Sequence, residues 1–245
     1  MIKLLDENTP FPSLNDGVFS LRQKAFFNSY GVKAPFFMTW VQTDENEDES
    51  AVITSLSGDV TLALSGRADF DEISGFLSAV GFSSVFFNKK YASRFAFENG
   101  ESGKIMKLEK ELPETEVFFD EPDYKAVFGL LFENGGVSFP DWFTDLSLRA
   151  RKGFAYILTH KENGKTVACA LCQATDEKSA LIGSVKTDRE FRNKGIGTFL
   201  VTKLCAFLQK ENKTVFLCRE ENKNEDFYSR IGFKNCGEWM SIKNE

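Results

Sequence analysis

Ala180-Leu181-Ile182-Gly183-Ser184-Val185-Lys186-Thr187 is followed, after four residues, by Arg192-Asn193-Lys194-Gly195-Ile196-Gly197, and this stretch decides the fold. The first part predicts a strand, and the spacing of Leu200, Leu204 and Leu208 predicts a helix directly after the second. A strand that leads through a glycine-containing turn into a helix directs unpaired backbone N–H groups at one point, where the helix dipole also favours negative charge. The stretch therefore predicts an anion-binding site.

The turn supplies residues suited to a large anion. A side chain at Gly195 or Gly197 would obstruct the approach of the backbone to a diphosphate, and glycine tolerates the dihedral angles of such a turn. Arg192 and Lys194 add positive charge, although each is equally compatible with a solvated surface position. The spacing matches neither the Walker A loop nor the three-glycine dinucleotide motif.

The stretch resembles the diphosphate-binding loop of the GNAT superfamily of N-acyltransferases, Arg/Gln-x-x-Gly-x-Gly/Ala, which Arg192, Gly195 and Gly197 match. A second stretch, Phe227–Phe233, is similar to the family pattern Tyr-x-x-x-Gly-Phe, which follows the next strand. The resemblance covers about residues 115–245. It implies that the chain takes acetyl-CoA as cosubstrate and transfers the acetyl group to an amine.

The resemblance also implies roles for single residues. The strand end Val185-Lys186-Thr187 is expected to pair with the pantetheine arm, and Tyr228 to donate a proton to the departing thiolate. A core tyrosine whose hydroxyl only finds a hydrogen bond is the alternative for Tyr228. The family's asparagine seven residues earlier is Glu221 here, with Asn222 and Asn224 nearby, so either the loop is shifted by a residue or that CoA contact is missing. The expected CoA-binding residues are Val185, Thr187, Arg192, Asn193, Lys194, Gly195, Ile196, Gly197, Thr198 and Asn222.

No general base is evident in the sequence. An amine acceptor must lose a proton before it attacks, so a carboxylate or a chain of water molecules is expected near the central strands. Asp176, Glu177 and His160 lie in or beside predicted turns, and a surface turn residue is the favoured interpretation of each. A CoA-binding sensor or partner-binding module without turnover is the alternative function.

Composition limits the classes of partner. Apolar residues make up 42% of the 245 residues, and the 26 Phe supply a core. A net charge of −6 argues against nucleic acid. Five cysteines with a single histidine predict free thiols in a reducing compartment and no metal site. Without a signal peptide or a long apolar run, we expect a cytoplasmic protein, a monomer or homodimer, with no membrane partner.

The remaining sequence predicts an α/β (α+β) fold, a mixed and largely antiparallel sheet with helices on its faces. We expect a GNAT-like or accessory domain at 1–112 and the acyl-CoA-binding domain at 113–245, joined by a polar passage at 98–114. The predicted strands are 36–43, 51–56, 60–64, 81–87, 116–119, 154–159, 166–174, 180–186, 215–218 and 239–242. The predicted helices are 69–77, 124–132, 140–151, 198–210 and 225–231.

The first half resembles a degenerate copy of the second. Aligning Gly81-Phe82 with Gly232-Phe233 places Leu77 on Tyr228, and residues before 115 contain no Arg/Gln-x-x-Gly-x-Gly turn. Such a copy would have lost both the loop and the acid, leaving substrate recognition or scaffolding as its role. A chance likeness between two amphipathic helices that end in Gly-Phe is the alternative.

Overall fold

The chain divides into two compact units. A computed structural model describes residues 1–95, 100–133 and 135–244. Unit 1 comprises Met1–Ile105, Arg219–Lys223 and Cys236–Glu245, and unit 2 comprises Met106–Cys218 and Asn224–Asn235. The sequence predicted the passage between the halves at 98–114, and the chain first changes units inside that range, after Ile105. Two later segments return to unit 1.

Unit 1 is built on a sheet in which strands β1 to β4 are antiparallel neighbours and β4 pairs with β5 in parallel. Helix α2 connects β4 to β5. Its first turn is capped by Asp69, whose carboxylate accepts the N–H of Glu72 at 2.9 Å. The elements are β1 (Ile2–Leu4), α1 (Val18–Tyr30), β2 (Phe37–Thr43), β3 (Glu49–Leu56), β4 (Asp59–Leu64), α2 (Phe70–Val80), β5 (Ser84–Asn88) and β6 (Glu101–Leu108).

Unit 2 contains the strand order β7-β8-β9-β10 and, next to β10, the last three residues of β6, whose first five residues belong to unit 1. The pairs β7·β8 and β8·β9 are antiparallel, and β9·β10 is parallel with α5 as the crossover. The last two residues of β10 and most of β11 belong to unit 1. The elements are α3 (Tyr124–Leu131), α4 (Phe139–Arg151), β7 (Tyr156–Glu162), β8 (Lys165–Thr175), β9 (Ser179–Thr187), α5 (Ile196–Lys210), β10 (Thr214–Glu220), α6 (Glu225–Ile231) and β11 (Phe233–Lys243).

Successive residues of β8 face opposite sides of the sheet in unit 2. Ala170 and Cys172 belong to the core formed with α5, whereas Cys169 and Leu171 pack with α3 and α4. The near-continuous apolar run of β8 thus follows from helices on both faces. The mixed, largely antiparallel sheet covered by helices that the sequence predicted is confirmed.

The two units repeat one topology, but not in the alignment taken from the sequence. In each unit, three antiparallel strands are followed by a helix and then a parallel strand, so α2 corresponds to α5. The alignment of Gly81 with Gly232 paired α2 with α6 and was therefore wrong. Both glycines have positive φ values, 74° and 119°, and end a helix, which any amphipathic helix with a glycine cap would reproduce.

Two further predictions needed correction. Residues 116–119 are not a strand: Val117 and Phe119 pack against the core of unit 2 without joining a ladder, which explains their alternating pattern. Strand β6, which was not predicted, lies within the polar passage at 98–114. Its Gly103 leaves no room for a Cβ beside the carbonyl oxygen of Arg219, so close backbone packing removed the apolar signal of a strand.

The fold also limits two classes of site. Among the described residues, no helix is long and apolar enough to cross a membrane. The same part of the chain holds no group of three His, Cys, Asp or Glu side chains that could bind a metal ion.

Candidate active site

Strand β9 separates from β10 halfway along its length. The parallel ladder runs from Ser179↔Thr214 to Ile182↔Leu217, and the last five residues of β9, Gly183–Thr187, extend beyond it. A register shift against β8 accompanies this separation, and Ser184 there has a φ of 48°. The bulge is held by the Gln173 side chain, whose Nε2 donates to Ser184 Oγ at 2.9 Å. One edge of β9 is thereby left open next to the following loop.

The loop after β9 turns the chain sharply into α5. Asp188 opens it, accepting the Glu190 N–H at 3.2 Å and the Lys165 ammonium at 3.0 Å. The chain then reverses through Asn193, with φ 60°, and Gly195, with φ 80°. These two residues with left-handed backbone conformations bring the start of α5 beside the end of β9. Alternation of left-handed and right-handed residues also directs successive backbone N–H groups toward one point.

Helix α5 begins without a side-chain cap. Gly195 is its N-cap residue and has no side chain to offer, and the first turn contains no acidic residue. By contrast, α2 and α3 are capped by Asp69 and Asp123. The N–H groups of the first turn and the positive end of the helix dipole are therefore available to an anion.

A cavity of about 680 Å³ lies at this point. Its walls are the end of β9, the loop, the first turn of α5 and one side of α6 with the residue before it. The residues that line it are Val185, Lys186, Thr187, Phe191, Arg192, Asn193, Gly195, Ile196, Gly197, Thr198, Asn224, Phe227, Tyr228 and Arg230.

The cavity wall is cationic. Lys186, Arg192 and Arg230 line it, whereas none of the lining residues is Asp or Glu. Arg192 Nε donates to the Thr187 carbonyl oxygen at 3.0 Å, which fixes the side chain against the strand end. Lys194 is not among the lining residues, and its ammonium lies 4.8 Å from the centroid of the Phe191 ring. The electrostatics favour a ligand with several negative charges.

The two glycines leave open space beside the backbone of the loop. A Cβ on Gly197 would point between β9 and α6, 3.4 Å from Thr187 Oγ1 and 3.7 Å from Cζ of Phe227. A Cβ on Gly195 would meet no other atom within 4 Å. Packing would therefore leave room for a Cβ at both positions. The space beside them is open to a ligand that approaches the backbone closely.

Tyr228 contributes a phenol to the same cavity. Its ring packs against Phe227 and Phe233, with centroid distances of 4.9 and 5.9 Å. Burial raises the pKa of the phenol above its ordinary value, and the thiol of Cys205 adds to that effect. Its hydroxyl makes no hydrogen bond within the described part of the chain, so it is available to a ligand.

Most of the residues expected from the sequence lie together here. Tyr228 and eight of the expected CoA-binding residues line the cavity, whereas Lys194 and Asn222 do not. Five further lining residues were not among the expected CoA-binding residues, although Lys186 lies in the predicted strand end and Asn224 and Phe227 lie just before Tyr228. Asn224 precedes Tyr228 by four residues, a spacing that places both on one side of a helix, whereas the Phe227 ring approaches the space beside Gly197. The five residues are Lys186, Phe191, Asn224, Phe227 and Arg230.

The side chains considered as bases have structural partners. Asp176 accepts the N–H groups of Lys178 and Ser179, both at 2.8 Å, and so closes the β8–β9 turn. His160 Nε2 lies 3.0 Å from Glu162 Oε1. Neither residue lines the cavity.

This geometry coincides with a family match. Residues 112–233, about half of the 245 residues, match the model of the acetyltransferase (GNAT) family. The matched range contains every residue that lines the cavity. Through this domain the chain belongs to the GNAT family, and it is an acyltransferase.

Solved structures with the same fold cover the whole chain. An acetyltransferase of the GNAT family from Colwellia psychrerythraea is 16% identical, with a TM-score of 0.56 and full coverage of both chains. A GCN5-related N-acetyltransferase from Kribbella flavida is 11% identical, with a TM-score of 0.64 over 93% of this chain and 94% of its own. A tandem GNAT protein from the clavulanic acid biosynthesis pathway is 11% identical, with a TM-score of 0.59 over 99% and 98%. No curated protein sequence matches the chain.

Proposed function

We propose that the protein transfers an acetyl group from acetyl-CoA to an amine by direct attack on the thioester. One observation carries the proposal: the uncapped first turn of α5, the cationic side chains and the Tyr228 phenol all border the same cavity. A diphosphate needs the first two features, and a thiolate leaving group needs a proton donor such as the third.

The loop residues would bind the diphosphate of CoA. Backbone N–H groups from Asn193 to Thr198, that of Lys194 included, would supply donors, and Arg192 lines the same wall. Val185 and Thr187, on the open edge of β9, would pair with the pantetheine arm through their backbone groups. Asn224 is better placed than Asn222 to contact the ligand, because only Asn224 lines the cavity.

Tyr228 would act at the sulfur. As the neutral amine forms its bond to the thioester carbon, the carbon–sulfur bond breaks and the thiolate takes the phenolic proton. The raised pKa of Tyr228 keeps that proton on the phenol at neutral pH. The attacking nitrogen loses its proton to water or to a base other than Asp176 and His160, neither of which lines the cavity.

The N-terminal part is proposed to be an accessory GNAT-like domain, residues 1–112, which supports the CoA-binding domain at 113–245. Its α2 begins with Asp69, Asp71 and Glu72, and these carboxylates repel a phosphate where α5 attracts one. We propose a cytoplasmic location, which five cysteines without a disulfide favour, and a monomer or homodimer as the oligomeric state.

Release of CoA thiol from acetyl-CoA in the presence of an amine panel tests this function. Turnover with any amine supports the enzyme, and mass-spectrometric detection of the acetylated amine identifies the acceptor. A non-catalytic CoA-binding module would instead show a thermal shift with CoA but no thiol release with any amine. Absence of both responses would remove CoA as the ligand.

A further inference from the structure

The cavity has a second cationic wall, formed by α6. Arg230 lines the cavity from the last turn of this helix, one turn beyond Phe227 on the helix surface. The Phe227 ring faces the space beside Gly197. Arg230 therefore extends the cationic lining from the glycine loop to a different secondary-structure element.

Arg230 is the lining cation whose charge is least engaged. Lys186 lies 3.7 Å from the Glu133 carboxylate, and Arg192 is bonded through Nε to Thr187. Within the described part of the chain, the guanidinium of Arg230 forms no ion pair and no hydrogen bond. An arginine beside a cavity without carboxylates, at the surface but unpaired, is suited to bind an anion in two parallel hydrogen bonds.

We infer that Arg230 binds a phosphate group of CoA, an inference that rests on the proposed function. CoA carries two kinds of phosphate, the diphosphate and the 3′-phosphate of its ribose. The uncapped start of α5 provides for the diphosphate without any contribution from α6. Arg230 would thus bind a phosphate in addition to the contacts made by the loop after β9. The affinity for the nucleotide end of CoA would then depend on this side chain of α6.

Calorimetric titration with CoA and with 3′-dephospho-CoA tests this inference on the full-length protein. Arg230→Gln should weaken CoA binding by roughly 10- to 150-fold, the usual value of a hydrogen bond to a charged group. Lys125→Gln removes the same charge from the exposed surface of α3, outside the cavity lining, and should leave the affinity unchanged. The loss caused by Arg230→Gln should shrink as salt concentration rises.

The two ligands identify which phosphate Arg230 binds. If the 3′-phosphate is its partner, Arg230→Gln and the unmodified protein bind 3′-dephospho-CoA equally well. If the diphosphate is its partner, the substitution weakens both ligands by the same factor. Binding of CoA by Arg230→Gln within twofold of the unmodified protein overturns the inference but leaves the proposed function intact, whereas failure of the unmodified protein to bind CoA overturns both.

Discussion

The hydroxyl of Tyr91 donates a hydrogen bond to the carbonyl oxygen of Leu64 at 3.1 Å, at the carboxyl end of β4. The N–H of Leu64 is also engaged, at 3.1 Å from the carboxylate of buried Asp16, which accepts the Asn88 side chain at 3.0 Å as well. The corresponding end of β9 in unit 2 borders the cavity instead. The backbone groups at the end of β4 are thus hydrogen-bonded within unit 1, whereas the corresponding end of β9 is open to the cavity in unit 2.

One CoA per chain is the first prediction, because in the described part of the chain the open strand end is followed by an uncapped helix in unit 2, whereas the corresponding helix α2 of unit 1 is capped by Asp69. Calorimetric titration should give a stoichiometry near one. Gly197→Asp should remove all of the binding, since its carboxylate would lie in the space for the diphosphate. Residual binding of one equivalent to Gly197→Asp would mean that a second site exists.

Asp16→Ala should destabilise the fold without changing CoA affinity. The substitution leaves the Leu64 N–H and the Asn88 amide without their acceptor in a buried place, at a cost of about 1 to 3 kcal/mol. For a chain of this size the melting temperature falls by roughly 2 to 4 °C per kcal/mol. Asp59→Ala, which removes an exposed hydrogen bond with Ser84, is the control. An unchanged melting temperature for Asp16→Ala contradicts the closed edge.

Gly197→Ala should stabilise the free protein and weaken CoA binding. Gly197 lies inside the first turn of α5, where alanine is favoured by about 0.5 to 1 kcal/mol. The added methyl group meets only ordinary contacts, 3.4 Å or more away, yet fills space meant for the ligand. Differential scanning fluorimetry without and with CoA measures both effects. Gly197→Asn introduces a side chain of nearly the same size as that of Gly197→Asp but without its charge. If the two variants bind CoA equally weakly, the size of the side chain alone excludes the ligand.

The sequence was sufficient for most of unit 2. Polar turns separate its strands, and the loop around Gly195 combines glycine, charge and a following amphipathic helix, which are local features. Local features also identified Tyr228. Arg230 escaped notice because it reaches the cavity only through the packing of α6 beside α5, which no short motif records.

Tertiary packing explains the failures. Strand β6 carries a glycine where another backbone approaches, so its apolar alternation was too weak to see. The repeat was assigned to α6 because a helix ending in Gly-Phe is a local pattern, whereas the correspondence of α2 with α5 depends on parallel pairing of strands far apart in sequence. Nothing local distinguishes those alternatives.

Thiol reactivity should separate the five cysteines. Burial raises the pKa of both Cys169 and Cys172 to about 12 and raises that of Cys205 further, so these thiols should resist a disulfide reagent near pH 8. Cys236 is exposed and should react first. Counting modified thiols by mass spectrometry in the native and the denatured protein checks this order. Early modification of Cys169 would contradict the packing of β8. Assays of CoA release with such reagents need Cys236→Ser to lower the background.

Tyr228→Phe should separate chemistry from binding. Phenylalanine keeps the ring contacts with Phe227 and Phe233 and removes only the hydroxyl that borders the cavity. CoA affinity should change little, while kcat falls by about 10² to 10⁴, roughly 3 to 5 kcal/mol of transition-state stabilisation. Tyr156→Phe is the matched control, because that ring is also partly buried in the core of unit 2 but does not line the cavity.

The pH profile gives an independent test of Tyr228 as the acid. A general acid acts only while protonated, so the rate that depends on it is lost as pH rises through its pKa in the folded protein. Burial raises that pKa above the ordinary value of 10.0, and the alkaline limb should therefore lie above pH 10, as far as the fold persists. Tyr228→Phe should abolish this limb.

A kcat of Tyr228→Phe within about threefold of the unmodified enzyme, where chemistry limits the rate, would exclude the tyrosine and leave water as the proton donor. A loss confined to KM would instead assign Tyr228 to binding, since an interaction of equal strength in ground and transition states leaves kcat unchanged.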